Sequence, residues 1–446
     1  MVSVMTADAM PIRTKAPLWA SGQIAAQIFR DLPSLLLLFY MTQLLAIPPA
    51  MAGAAIFVPK LFWAVLCDGA VGIISDRLRH SFARRHFLLI GAVLVPLAMV
   101  LLFNGTSAGT AEAKALHISL ILALYMLVFA LFSVPHLAIG TEIARTPSES
   151  SLVMGWRVAF SAVGLLVGNS LAPMLIQHWG ATQDAYRQVA ILMGAVCSAA
   201  LVVSWFGARE ASGMARPRAA PGSALKAVIG NRPLLILFLI LMLQLIGSGM
   251  AYASLAYVFS YNLAFPQPLQ TLGVFVLVTG ICAMGIQPVW VWLSRRLGKR
   301  AGLIIASLGY AASLFAPMLL APGQESGAYV IGAAMGLFNS GCYLNIYALL
   351  SDLVEEQTSS TGDSRAGLYS GLFSAGDKIG FAIGGTLLTG LVLGAYGFSS
   401  GAVVQSAAAL DGIWIAYAII PGCIIVVTAL MAGLLIRAPV PQPQPA

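Results

Sequence analysis

Charged residues are scarce in this chain: Asp, Glu, Lys and Arg make up 9% of the 446 residues, while 59% are hydrophobic. A soluble domain carries roughly 25% charged residues, and a water-soluble fold could not cover itself with so few. The deficit excludes a soluble protein. The net charge of +8 does not indicate a nucleic-acid partner, because the basic residues lie in short clusters between apolar runs. That distribution is the positive-inside pattern of a membrane protein.

Nucleotide, metal and redox motifs are missing as well. The sequence contains no P-loop, no Gly-rich dinucleotide turn and no metalloprotease helix. Its five cysteines stand singly in apolar segments, so neither disulfides, nor a metal site, nor any cofactor is predicted. No cluster of His, Asp or Cys supplies a nucleophile, which argues against an enzyme. The lone His136 and His178 are interpreted as hydrogen-bonded filler residues.

What is present is a series of long apolar runs. A membrane-spanning helix needs about 20 largely apolar residues, and twelve runs meet this requirement. We number them span 1 to span 12; they lie near 18–45, 50–74, 87–103, 116–142, 154–177, 187–207, 233–261, 270–293, 301–321, 327–351, 366–395 and 410–436. The predicted fold class is therefore an all-α membrane protein of twelve transmembrane helices.

The basic residues set the expected topology. Of the Lys and Arg residues between spans, only Lys114 and Arg187 fall in odd-numbered connections, so the positive-inside bias places both termini in the cytoplasm. The predicted domains are a cytoplasmic tail (1–17), a six-helix bundle (18–207), a cytoplasmic central loop (208–232), a second six-helix bundle (233–436) and a cytoplasmic tail (437–446).

The two halves resemble each other. Basic clusters follow spans 2 and 8, and span 4 ends at Glu142 where span 10 ends at Asp352. Pseudo-symmetric six-span halves are typical of transporters, whose solute site lies near the bilayer midplane at the interface of the repeats. The loop charges, among them Asp76, Arg77, Arg79, Arg84 and Arg85 with Glu142 and Asp352, are interpreted as cytoplasmic latches outside the solute site.

Ionisable residues inside the spans are few: Arg30, Asp31, Lys60, Asp68, Arg157, Asp377 and Lys378. Charge at membrane depth is costly and indicates function. Asp31 lies near the middle of span 1, just before the helix-kinking Pro33. Its carboxylate can accept hydrogen bonds from solute hydroxyls or pair with Arg157. The alternative is a structural ion pair that holds spans 1 and 5 together.

Asp68 and Lys378 predict a coupling role. A carboxylate at Asp68 can bind a monovalent cation or take up a proton; a salt bridge to Lys60 is the alternative, but eight residues of helix, about 12 Å, separate the two. Lys378 lies among small residues, too deep to reach the surface easily. Trp156 and Tyr343 are aromatic neighbours able to stack on a sugar ring, although both residue types also favour membrane interfaces.

Three runs carry a family resemblance: Cys67-Asp-Gly-Ala-Val-Gly-Ile-Ile-Ser-Asp-Arg-Leu-Arg79, Val134-Pro-His-Leu-Ala-Ile-Gly-Thr-Glu142 with Trp156-Arg157, and Leu368-Tyr-Ser-Gly-Leu-Phe-Ser-Ala-Gly-Asp-Lys-Ile-Gly380. They resemble the glycoside-pentoside-hexuronide:cation symporters, the melibiose-permease branch of the major facilitator superfamily. The resemblance implies the major facilitator fold and alternating-access symport by a monomer in the plasma membrane, the inner membrane of a bacterium. The implied partners are a small-molecule solute, a coupling cation and membrane lipids.

The resemblance also implies residue roles. The family's sugar-contacting carboxylate and arginine fall on Asp31 and Arg157, with Arg30 beside them, and its span-11 lysine and second span-2 aspartate fall on Lys378 and Asp68. Two further family acids fall on Ala64 and Ser133. Sodium prefers several oxygen ligands, so we expect proton coupling through Asp68, or a loss of tight coupling, with sodium coupling as the alternative. The expected solute is a sugar or glycoside; an amphipathic solute such as a lysolipid, or an organic acid, is the alternative.

Overall fold

The computed structural model describes residues 11–78, 81–106, 109–144, 146–209, 231–361 and 366–436. Within these ranges the regular structure is helical and contains no strand, which confirms the all-α expectation. Most of the predicted central loop and tails, and Arg79 of the predicted latch, lie outside these ranges. The chain forms two units: unit 1 comprises Met1–Arg216, Gln267–Val274 and Ser399–Val403, and unit 2 comprises Pro217–Pro266, Phe275–Phe398 and Val404–Ala446.

Eleven helices in the part of the chain that the structure describes are long and apolar enough to cross a membrane. Spans 1 to 6 are Ile12–Gln43, Pro49–Leu78, His86–Phe103, Ala111–Ile143, Ser148–His178 and Gln183–Gly207, and spans 7, 8, 9, 11 and 12 are Arg232–Asn262, Pro268–Gly285, Lys299–Leu319, Gly371–Ala395 and Ala407–Leu435. Span 10 is the helix Glu325–Thr361. It falls outside the eleven because Asn339, Ser340 and Asn345 make it more polar.

Spans 4 and 5 begin earlier than their apolar runs predict, because capping residues start the helices. Thr110 accepts a hydrogen bond from the Ala113 amide at 3.2 Å, so span 4 begins at Ala111. Thr146 and Glu149 form a reciprocal capping box ahead of span 5, which satisfies amides that have no partner within the helix. Hydrophobicity therefore underestimates the length of these helices.

Span 8 is shorter than predicted. The helix ends at Gly285, and a second helix, Gln287–Leu297, begins with Pro288 in its first turn. Proline has no amide hydrogen and disfavours the interior of a helix, so the predicted continuous run 270–293 is divided. Other spans contain π-helical turns, at Pro59–Trp63, Val167–Leu171, Val258–Asn262, Ile383–Leu388 and Ile415–Ile419.

The helices of each unit pack in the same order. In unit 1, span 1 packs against spans 5 and 6, and span 3 packs against span 6. In unit 2, span 7 packs against spans 11 and 12, and span 9 packs against span 12. The shared pattern agrees with the internal repeat inferred from the loops.

A buried polar cluster joins spans 1, 4 and 6 of unit 1. The Trp19 indole donates a hydrogen bond to the His136 carbonyl at 3.1 Å, and its ring stacks on the His136 ring at 4.7 Å. His136 Nε2 and Ser204 Oγ contact the Trp19 carbonyl oxygen at 2.9 and 2.7 Å. The interpretation of His136 as a hydrogen-bonded filler residue is confirmed.

Candidate functional site

Asp31 is the centre of a polar cluster in unit 1. Its carboxylate accepts a hydrogen bond from Gln27 Nε2 at 2.6 Å, one helical turn earlier, and pairs with Arg30 Nε at 2.7 Å. The Asp31 side chain is 14% exposed and that of Arg30 is 48% exposed. The cluster thus pairs a mostly buried carboxylate with a guanidinium that reaches the surface of the unit.

Lys60 joins this cluster from span 2. It lies in the π-helical turn Pro59–Trp63, and its ammonium donates a hydrogen bond to Ser34 Oγ at 3.0 Å. Ser34 in turn donates to the Arg30 carbonyl at 3.0 Å. The charges of Asp31 and Arg30 both act on the Lys60 ammonium. A π-helical turn rotates the residues that follow it and is frequent at functional sites.

Arg157 contacts span 1 about two helical turns before Asp31. Its Nε donates a hydrogen bond to Gln23 Oε1 at 3.2 Å, and Gln23 lies eight residues, about 12 Å of helix, before Asp31. The pairing of Asp31 with Arg157 considered from the sequence is therefore wrong for the described part of unit 1, since Asp31 pairs with Arg30. Trp156 is 39% exposed, with its ring 6.0 Å from that of Phe160.

The sequence reasoning missed the amides of this cluster. Gln23 and Gln27 precede Asp31 at intervals of four residues and so lie on one face of span 1. Polar side chains repeating at this spacing inside an apolar run are a signal that identifies such a face.

Asp68 lies further along span 2, in the helix Ala64–Leu78, where it is half-buried. Its neighbour Cys67 packs with Val71 and Ala130. Because the Lys60 ammonium is bonded to Ser34 of span 1, the salt bridge between Lys60 and Asp68 is not formed. The coupling role of Asp68 stays a prediction.

In unit 2, the predicted residues lie on spans 10 and 11. The Asp377 carboxylate acts electrostatically on the hydroxyls of Tyr343 and Tyr347, and the Tyr347 ring lies 6.2 Å from that of Phe373. Lys378, next along the helix, is exposed on the surface of the unit. Asp68 and Lys378 thus belong to different units, and their coupling stays a prediction.

The interpretation of the loop charges as latches agrees with the ion pairs of each unit. In unit 1, Arg84 pairs with Asp76 at the end of span 2 and with Glu142 at the end of span 4. The side chains of Arg84 and Glu142 are only 12% and 6% exposed, whereas Arg77 is exposed. Arg84 therefore ties the ends of two spans together.

Unit 2 repeats this arrangement with a lysine. Lys299, at the start of span 9, pairs with Asp352 near the end of span 10 and donates a hydrogen bond to the Ala348 carbonyl at 3.2 Å. Lys299 was not singled out from the sequence, because it is one of several basic residues that follow span 8. In both units a base after an even-numbered span pairs with an acid at the end of the next even-numbered span.

Replacing Arg84 by glutamine is expected to lower the free energy of unfolding by about 3 kcal/mol, because it leaves the buried Glu142 carboxylate without its cation. Thermal unfolding of the purified protein in detergent measures the change. Arg187→Gln is the matched control, since its pair with Asp184 is 46% and 71% exposed and contributes at most about 1 kcal/mol. Equal effects of the two substitutions would contradict the prediction.

Comparison with known proteins adds the family. Residues 18–441 match the model of the MFS/sugar transport protein family. The chain is 25% identical to the uncharacterized symporter YjmB of Bacillus subtilis, over 98% of this chain and 95% of the relative. It is 26% identical to a putative 2,3-dihydroxypropane-1-sulfonate exporter of Escherichia coli, over 95% and 92%, and 25% identical to the putative glycoside/cation symporter YagG of Escherichia coli, over 90% and 85%.

Solved structures agree on the fold. A bacterial homologue of the human lysosomal transporter Spinster, in an inward-facing and unoccupied conformation, superposes with a TM-score of 0.69 at 14% identity, and the match covers 96% of each chain. At this identity the likeness establishes the major facilitator fold alone.

Proposed function

We propose that this chain, which belongs to the family of MFS/sugar transport proteins and is a multi-pass transporter rather than an enzyme, is a cation-coupled symporter of a small hydroxylated solute. A sugar or glycoside is the solute class, and transport proceeds by alternating access. The observation that carries the proposal is the cluster of Arg30, Asp31 and Lys60 with Gln27 and Ser34 in the membrane spans of unit 1. Charged and hydrogen-bonding side chains are costly inside a membrane, so a cluster of them is retained for function.

The side chains of the cluster suit a polyol. The carboxylate of Asp31 accepts hydrogen bonds from hydroxyls, and the guanidinium groups of Arg30 and Arg157 donate them. Trp156, which is 39% exposed, supplies aromatic surface for a sugar ring. Two relatives support this solute class by name. One is called a putative glycoside/cation symporter, and the other is called a putative exporter of 2,3-dihydroxypropane-1-sulfonate, a compound with two hydroxyl groups.

The proposed energy source is the proton gradient. Asp68 couples it to transport, with Lys378 as the second residue of the coupling pair. A proton requires one carboxylate, whereas a hard cation is held by several oxygen ligands. Ala64 and Ser133 offer no carboxylate at the two positions where the related symporters have acids. The distribution of Lys and Arg supports cytoplasmic termini, and we place a monomer of this chain in the plasma membrane.

Asp68→Asn is expected to abolish solute accumulation driven by a pH gradient, lowering it by at least about tenfold, while exchange of solute across the membrane persists because the solute residues are intact. Uptake into proteoliposomes with an imposed pH gradient, and separately a sodium gradient, measures both. Asp184→Asn, on a side chain that is 71% exposed, is the control and should transport as the wild type does. Stimulation of the wild type by sodium alone would refute proton coupling.

A further inference from the structure

We infer that unit 1 binds the phosphate group of an anionic phospholipid through Arg85 and Arg209, which meet at the ring of Trp205. The site lies where span 3 begins and span 6 ends, outside the polar cluster of Asp31, so the inference does not depend on the proposed solute. Both arginines lie in even-numbered connections between spans and therefore on the same side of the membrane. The basic residues place this side in the cytoplasm.

Two guanidinium groups meet at one aromatic ring. The guanidinium carbons of Arg85 and Arg209 lie 5.7 and 5.1 Å from the centre of the Trp205 ring. Arg85 Nη1 donates a hydrogen bond to the Arg209 carbonyl oxygen at 3.2 Å, and Arg209 also lies over the Phe206 ring at 4.6 Å. The N–H groups of a guanidinium lie in its own plane, so a guanidinium over an aromatic face keeps them for an anion. The ring thus holds two cations together at the end of span 6.

Hydrogen-bond donors in this group exceed the acceptors that the chain provides. Arg84 pairs with two acids, whereas Arg85 and Arg209 have no acidic partner in the part of the chain that the structure describes. Arg85 Nε and Trp205 Nε1 are buried and have no acceptor within that part either, which is costly for a donor. A phosphate group supplies both a negative charge and several acceptor oxygens.

The corresponding arginine of unit 2 is used differently. Arg300, in the first turn of span 9, donates from Nε to the Ala432 carbonyl at 3.2 Å and from Nη2 to the Gly433 carbonyl. These carbonyls belong to the last turn of span 12, which has no acceptors to spare for its own helix, so Arg300 caps that helix with two donors. Arg85 makes one such bond to the end of span 6. Helix capping therefore does not account for the second guanidinium and the ring in unit 1.

Apolar side chains next to the two arginines suit the acyl chains of a lipid. Spans 3 and 6 pack against each other, and their ends expose Ile90 and Val93 on span 3 and Val202, Val203 and Phe206 on span 6. Tryptophan favours the level of the lipid head groups, and basic residues at the cytoplasmic ends of spans attract anionic lipids. Positive charge and exposed apolar surface coincide at this helix pair, which favours a lipid over a free anion.

Titration of the full-length protein with lipids tests the site. In detergent, dioleoylphosphatidylglycerol should raise the unfolding temperature and should bind, by native mass spectrometry, at least about tenfold more tightly than dioleoylphosphatidylcholine, whose choline cancels the charge of the phosphate. Inorganic phosphate at the same concentration should give no shift, because it lacks acyl chains. Equal binding of the two lipids, or an equal shift with phosphate alone, would overturn the lipid site.

Variants test the two arginines. Arg85→Gln and Arg209→Gln should each raise the dissociation constant of phosphatidylglycerol by about tenfold or more. Arg209→Lys keeps the charge but not the fork of donors, so its affinity should lie between those of Arg209→Gln and the wild type. Arg296→Gln is the matched control and should bind as the wild type does, because Arg296 also lies over a tryptophan, Trp292 at 4.6 Å, in another even-numbered connection.

The outcomes concern the lipid site alone. Unchanged affinity for phosphatidylglycerol in Arg209→Gln, or an equal loss in Arg296→Gln, would overturn the assignment to Arg85 and Arg209. Arg209 is exposed, so its variants and the pair of lipids on the wild type decide the question even if Arg85→Gln fails to fold. Neither measurement involves solute uptake, so failure of the lipid site leaves the proposed symport standing, and failure of symport leaves the lipid site standing.

Discussion

Replacing Asp31 by asparagine is expected to abolish solute uptake, lowering its initial rate by at least about a hundredfold, which corresponds to about 2.7 kcal/mol. Asp31 is the carboxylate that pairs with Arg30 and accepts from Gln27. Without it, the neighbouring cations of the cluster have no counter-charge on span 1, and solute hydroxyls lose their charged acceptor, whose hydrogen bonds contribute about 1.5–3 kcal/mol each. Uptake of labelled solute into proteoliposomes, normalised to folded protein, measures the effect.

The matched variant is Asp31→Glu, which keeps the charge and extends the side chain by one methylene. It should retain uptake within about tenfold of the wild type, because the cost is a displacement of the carboxylate rather than its loss. If Asp31→Asn instead lowered the unfolding temperature while each folded molecule transported normally, Asp31 would be a structural ion-pair residue, and its proposed role in solute binding would be wrong.

Replacing Gly384 by valine should prevent unit 2 from folding normally, at a cost of about 3 kcal/mol in the free energy of unfolding. Gly384 lies in the π-helical turn of span 11, against the backbone of span 7, and a Cβ atom there would overlap the Ile246 carbonyl. The obstacle is backbone, so no change of side-chain rotamer relieves it. The yield of monodisperse protein and its unfolding temperature measure the effect.

Gly371→Val is the control on the same span. A Cβ at Gly371 meets no atom within 4 Å, and valine is slightly more favourable than glycine in a helix. The control should therefore unfold at or slightly above the wild-type temperature. Similar losses at Gly371 and Gly384 would show that the close approach of span 7 to Gly384 is not the cause of the loss.

Much of the fold follows from the sequence because each membrane span must satisfy its own backbone hydrogen bonds. Length and hydropathy therefore located the eleven apolar spans of the described residues and the more polar helix Glu325–Thr361. The span ends were less accurate, since capping depends on single residues outside the apolar run. Thr146 and Glu149 form a capping box that can be recognised in the sequence. The end of the helix at Gly285, just before Pro288, could not be placed from hydropathy, because the apolar run continues through it.

The sequence by itself determined which residues carry charge into the membrane and which acids end spans 4 and 10. Only the tertiary structure decided their partners. Asp31 pairs with Arg30 rather than Arg157, and Lys60 turns to Ser34 rather than Asp68. The physical reason is that helical periodicity specifies which residues share a face of one helix, while the facing helix and its level are set by packing.

Span 5 illustrates that packing: a Cβ at Gly164 would lie 2.8 Å from Gln27 Cβ, so spans 1 and 5 approach closely there. With their backbones so near, the register between them leaves Arg157 beside Gln23, too far along the helix to reach Asp31. Composition and spacing therefore identified this chain as a membrane transporter with charges at depth. The contacts between its helices decided which of those charges meet.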